Sequence, residues 1–142
     1  MSLTRREIRE KALQTLFQLS VNKELSKEIA MIQALESDQD DEVTEEEIPA
    51  YLRFLVIGVL ENQELIDQKI QSCLEKWSIN RLAKTDLLIM RIAVFEIVYV
   101  EDVPDRVALN EALEITKRYS DDKSRKFVNG VLANIVKDEK GA

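Results

Sequence analysis

Histidine is absent from the 142 residues. That removes the commonest general base, metal ligand and triad member. A lone cysteine, Cys73, can neither close an internal disulfide nor build a zinc site. Such usage is compatible with a reducing compartment. No Gly-x-x-x-x-Gly-Lys phosphate loop, Gly-x-Gly-x-x-Gly turn or Gly-x-Ser-x-Gly elbow occurs. The acids of residues 36–47 do not follow the calcium-loop pattern. Together these gaps argue against hydrolytic, redox and metal catalysis, though not against every enzyme, and no cofactor is expected. Long hydrophobic runs are missing too. The longest, residues 87–100, is too short to span a bilayer and contains Arg91 and Glu96. No apolar run follows the N-terminal arginines, so no signal peptide is expected. A cytoplasmic protein without a membrane segment is the simplest reading.

Only three glycines and two prolines interrupt the chain. With so few breakers and abundant Leu, Ile, Glu, Lys and Gln, helix is favoured over strand. The length suits one domain, residues 1–142, with a substantial core. The net charge is −7, yet it is unevenly spread. Residues 36–47 hold eight acids and no base. Setting them aside leaves 19 of the 27 acids against 20 bases. One acidic loop therefore dominates the overall charge, and the remaining body can carry a basic patch.

Helical periodicity runs through most of the chain. Thr4 and Glu7 have capping-box spacing ahead of a stripe of Ile8, Ala12, Leu16 and Leu19, with Leu13 and Phe17 at its edge. Arg5 and Arg9 lie at the N-terminal end of that face, and Arg6 near its edge. They can either meet an anion or simply be solvated over the rim of a core. A second helix is expected over residues 25 to about 35, and residues 36–47 read as a surface loop. A single long helix is expected from Pro49 to near Lys76, with Gly58 permitting close helix packing. Ser78 is a candidate N-cap for a helix over 82–100, apolar nearly all round and therefore central. Within it Arg91 and Glu96 need partners and read as structural. Residues 106–119 form a helix with Ala108, Ala112, Ile115 and Tyr119 inward. Ser120, Asp121 and Asp122 form a turn that can cap the last helix, 123 to about 137. Its stripe is Phe127, Val128, Val131, Leu132 and Ile135, with Gly130 on the opposite side suggesting close backbone approach. Phe127, beside Lys123, can stack on a base or belong to the core. The expected class is all-α with about seven helices.

Lys126-Phe127-Val128-Asn129-Gly130-Val131-Leu132 matches the terminal signature of the NusB family, which four segments resemble in order along essentially the whole chain. Val103-Pro104 followed by Val107-Ala108-Leu109-Asn110-Glu111-Ala112 matches its Val-Pro…Val-Ala-Ile-Asn-Glu-Ala stretch, with Leu109 in place of isoleucine. Residues 88–96 resemble the family's central Ile-Leu-Arg-Ala-x-Tyr-Glu helix, and residues 9–17 its opening helix.

The resemblance implies a NusB-like fold of two packed three-helix bundles and a concrete function. NusB-like proteins pair with NusE, a small ribosomal subunit protein. The pair binds single-stranded boxA RNA in nascent ribosomal transcripts and helps RNA polymerase read through terminators. Carried over by position, Arg5, Arg6 and Arg9 approach phosphates, and Lys126 and Phe127 contribute to the RNA face. Phe17 and Asp86 fall on the partner-binding side. Lys123 departs from the acids common at that place in the family, and beside Phe127 it favours phosphate. Family members occur as monomers or homodimers, so a homodimer is one arrangement open to the chain. Three other readings remain: the N-terminal domain of a ribosomal RNA cytosine methyltransferase, an adaptor without RNA contact, and a DNA-binding helix-turn-helix. The first lacks an α/β cofactor region here, and the last lacks a clearly basic recognition helix.

Overall fold

The computed structural model describes residues 2–141 and contains seven α-helices and two short 3-10 turns, with no strand among the described residues. The chain divides into two compact units, one up to Leu60 and one from Glu61 onward.

The first unit opens with α1 (Arg5–Val21), α2 (Lys27–Glu36) and α3 (Ala50–Glu61). The capping box at the start of α1 is present in full. Thr4 Oγ1 accepts from the Glu7 amide at 3.1 Å, and the Thr4 amide donates to Glu7 Oε1 at 2.9 Å. This satisfies two amides that an α-helix otherwise leaves unpaired. Ile8, Ala12, Leu13 and Leu16 are buried as the spacing requires. Burial extends further round the helix, taking in Arg9, Glu10, Lys11 and Thr15. Ser26 caps α2 by accepting from the Ile29 amide at 3.1 Å, so the helix starts two residues later than expected. Ala30, Met31, Ala34 and Leu35 are buried on α2, which packs against α1.

The acidic loop is fastened at three places. Lys11 Nζ donates to Asp38 Oδ2 at 3.0 Å and to the Ala34 carbonyl at 2.9 Å. Glu36 Oε2 accepts from the Val43 amide at 2.8 Å, and Val43 itself is buried. Glu45–Glu47 form a 3-10 turn, with the Thr44 amide donating to Glu47 Oε1 at 2.9 Å.

The long helix expected from Pro49 to Lys76 is interrupted. Asn62, at φ −113° and ψ 14°, separates α3 from α4 (Gln63–Ser72). Asparagine competes with the helical backbone for hydrogen bonds and is suited to such a junction. Its carbonyl accepts from the Ile66 amide at 2.9 Å, starting the α4 ladder.

The second unit holds α4 with α5 (Lys84–Tyr99), α6 (Asp105–Tyr119) and α7 (Asp122–Gly141). The first unit thus carries three helices and the second four, the break at Asn62 supplying the seventh. As its composition implies, α5 is central: it packs on α4, α6 and α7 and buries Leu88, Ile89, Met90, Ile92, Ala93, Val94, Phe95 and Ile97. Arg91 finds Asp67 on α4 in a two-pronged pair, Nε to Oδ1 and Nη2 to Oδ2 at 2.8 Å each. A fork of this kind holds two helices in register. Ser78 does not cap α5. Its Oγ accepts from the Asn80 amide at 3.3 Å and caps the 3-10 turn Ile79–Arg81 instead, so α5 starts at Lys84. Gln71 ties that loop down, donating to the Trp77 carbonyl at 2.8 Å and accepting from the Ile79 amide at 2.9 Å.

On α6, Ala108, Ala112 and Ile115 are buried, but Tyr119 is exposed and Thr116 takes the last inward place. Asp121 Oδ1 caps α7 by accepting from the Ser124 amide at 2.8 Å. The α7 stripe of Val128, Val131, Leu132 and Ile135 is buried, with Phe127 half-buried at its edge. Gly130 overturns its expected role. It is exposed, and a Cβ placed on it meets nothing within 4 Å. No part of the described chain therefore uses the space that glycine leaves.

Candidate nucleic-acid interface

Each unit contributes its own cluster. In the first unit, the capping box sets the direction of α1 and leaves Arg5 and Arg6 exposed in its first turn. The Arg5 guanidinium carbon lies 3.7 Å from the centre of the Tyr51 ring, on α3. Tyr51 in turn neighbours Phe54, with ring centres 5.8 Å apart, and Phe54 is exposed. A guanidinium resting on one aromatic face keeps its edge donors for an anion. Arg9 behaves differently: only 4% of it is exposed, so the structure separates it from the two arginines it was grouped with.

Glu7 lies within the same turn. The Thr4 backbone N–H, and then the Thr4 hydroxyl, hold its carboxyl below the ordinary carboxylate range. The negative charge is thus kept at the helix start, where the helix dipole favours it.

In the second unit, the turn between α6 and α7 concentrates positive charge. Lys123 and Lys126 are exposed on the first turns of α7, next to half-buried Phe127. Lys117, Arg118 and Arg125 are exposed in the same stretch. Residues 117–126 thus carry five bases against two acids. These three cations escaped selection one by one, and counting charge across the 117–126 turn is the signal that finds them. The Arg118 guanidinium lies 6.0 Å from the Tyr119 ring centre. Of the two acids, Asp121 is engaged by the Ser124 backbone N–H, which lowers its carboxyl from the ordinary value.

The two residues assigned to a protein partner differ in access. Phe17 on α1 is 42% exposed, large and apolar at a surface. Asp86, in the first turn of α5, is 5% exposed, and its Oδ1 has no hydrogen-bond partner within the described structure. A buried oxygen without a donor is costly.

Chemically, the clusters offer phosphate-binding cations and aromatic faces. Among the described residues, no group of three His, Cys, Asp or Glu side chains could hold a metal ion. No described helix is long and apolar enough to cross a membrane.

Comparison with known proteins gives a consistent picture. The NusB family pattern matches residues 6–137. The transcription antitermination protein NusB of Lactiplantibacillus plantarum is 55% identical over 140 residues, covering 98% of this chain and 99% of that protein. A solved structure of T. maritima NusB superposes with a TM-score of 0.82 at 35% identity, covering 96% of this chain and 93% of that one. A further structure, of the antitermination factors NusB and NusE in complex with double-stranded RNA, shares the fold, with a TM-score of 0.79 at 24% identity over 94% of this chain and 96% of that one.

Proposed function

The chain belongs to the NusB family, and from that membership we propose that it is a transcription antitermination factor that pairs with NusE and binds boxA-type single-stranded RNA. In this reading it acts in the cytoplasm on nascent ribosomal transcripts and promotes read-through by RNA polymerase, which it reaches only indirectly. It is a binding protein and not an enzyme. The family pattern runs across both compact units, which supports treating residues 1–142 as one NusB-like domain.

The observation that carries the reading is the head of α7. There the terminal family motif presents exposed Lys126 and half-buried Phe127 beside exposed Lys123. Cations there neutralise backbone phosphates, while an aromatic ring face stacks an unpaired base. Arg5 and Arg6 take further phosphates in the first unit, with Arg5 held in place by Tyr51. Buried Arg9 is assigned to support that turn, not to direct contact. NusE covers exposed Phe17, and Asp86 keeps its place on the NusE-binding side with its Oδ1 below the surface. A homodimer would compete for such faces, so oligomeric state belongs in the test.

The test is a titration of fluorescent boxA RNA, a scrambled strand and a duplex control, with and without NusE, at two salt concentrations. Preference for boxA that strengthens with NusE is expected. Equal binding of all three RNAs in every condition, by folded protein of known oligomeric state, overturns the reading.

A further inference from the structure

Gly130 sits inside a regular 20-residue helix, is exposed, and leaves space that no described part of the chain fills. Glycine is the poorest helix former apart from proline, so alanine there would favour the helix. The residues around it give the vacancy a meaning. At helical spacing Lys126, Asn129, Gly130, Ala133, Asn134 and Lys137 share one face of α7, and all six are exposed. Lys123 borders this face at one end and Lys140 at the other, both exposed. Of the acids of α7, Asp138 and Glu139 fall off the face, Glu139 being engaged by Lys69 at 2.7 Å, and Asp122 shares it only at the first turn. The face has cations along its length, two side-chain amides, and a flat centre where Gly130 and Ala133 leave the backbone accessible.

We propose that this face of α7 is a track for single-stranded RNA, extending the site at the head of the helix by about 16 Å toward its C-terminal end. The inference rests on the RNA-binding reading above and deepens it. Lys126 and Lys137 take phosphates. Asn129 and Asn134 each present both donors and an acceptor, the complement of a base edge. Gly130 is the point of closest approach, where a sugar-phosphate segment fills the space that a side chain would occupy. A protein partner fits less well, because a helix face of lysine and asparagine without an apolar anchor lacks the usual hot spot.

The test uses full-length protein with NusE, boxA RNA and three variants. Gly130→Ala should raise the Tm by a few degrees, and Gly130→Gln should leave the protein folded while weakening boxA binding about tenfold or more. Lys137→Ala should reduce the slope of log affinity against log salt by roughly 0.7, the value for one phosphate on a single strand. If wild type binds boxA selectively and Gly130→Gln and Lys137→Ala bind it equally well, the track is wrong while the antitermination reading stands. If wild type itself shows no selectivity, the broader reading has failed. If Gly130→Gln instead loses NusE in the absence of RNA, the face is a protein interface and the proposal is overturned.

Discussion

The ammonium of Lys11 is a side chain whose type suggests solvent and whose position denies it. It is 7% exposed and donates to the Ala34 carbonyl, Ser37 Oγ and Asp38 Oδ2. Its three donors are therefore matched, which makes burying the amine tolerable. The same contacts fix where the acidic loop leaves α2. Replacing Lys11 with Met keeps the stem and removes the donors. Lys11→Met should cost about 2 kcal/mol in urea unfolding and open new proteolytic sites between residues 37 and 44. Unchanged stability together with an unchanged digestion pattern would show that the contacts at Asp38 do not hold the loop. Arg9 teaches the neighbouring lesson. A run of charged residues in the first helix reads as a solvated or anion-facing surface, yet Arg9, Glu10 and Lys11 are buried in the fold. Periodicity of apolar residues cannot reveal this, because the partners that make the Lys11 charge tolerable come from α2 and the loop after it.

Among the elements, local signals were legible where they are chemical and obscure where they are geometric. The Thr4–Glu7 box and the Asp121 cap both appear as read, because each depends on a short polar side chain at fixed spacing. The break at Asn62 was not legible. Buried Val59, Ile66, Ile70 and Leu74 keep helical spacing straight across it, so the apolar pattern registers no interruption. Ser78 was assigned to the wrong element because a 3-10 turn begins with the same cap chemistry as an α-helix. Gly130 was read as accommodating a neighbour within the fold, whereas only the packed structure could show that none is there. The candidate site was legible at its lysines, at Phe127 and at the first two arginines, but the Tyr51 support for Arg5 required the fold to bring α3 to α1.

The α1 cap also makes a prediction about pH. The Thr4 amide lowers the carboxyl of Glu7 below its ordinary value of 4.5. A lowered folded value means that the stabilisation is present above the unfolded value and is lost as pH falls through the folded one. Glu7→Ala, which removes the carboxylate and leaves the Thr4 hydroxyl cap in place, should therefore lower stability near neutrality. The gap between variant and wild type should narrow as pH falls below 4.5 and Glu7 takes up a proton. Denaturation followed by helical circular dichroism at several pH values checks this. A gap that stays constant through the acid range would remove Glu7 from the cap's contribution.

For the whole molecule, charge distribution decides what it can do alone. Residues 1–60 carry 12 acids against 7 bases, while the 117–126 turn is locally positive. A small basic patch on an acidic body predicts weak, strongly salt-dependent RNA binding by the isolated protein. On the proposed reading a basic partner would supply the missing charge. Two ligands that each favour the same assembled state must be coupled, and the coupling must be reciprocal.

The most direct measurement is that reciprocity, by titration calorimetry in one buffer. NusE affinity is measured with and without saturating boxA RNA, and boxA affinity with and without saturating NusE. Both affinities should tighten by the same factor, about tenfold or more, with no such change for a scrambled strand. Affinities that stay independent, or that shift equally for scrambled RNA, would contradict a factor that reads boxA jointly with its partner.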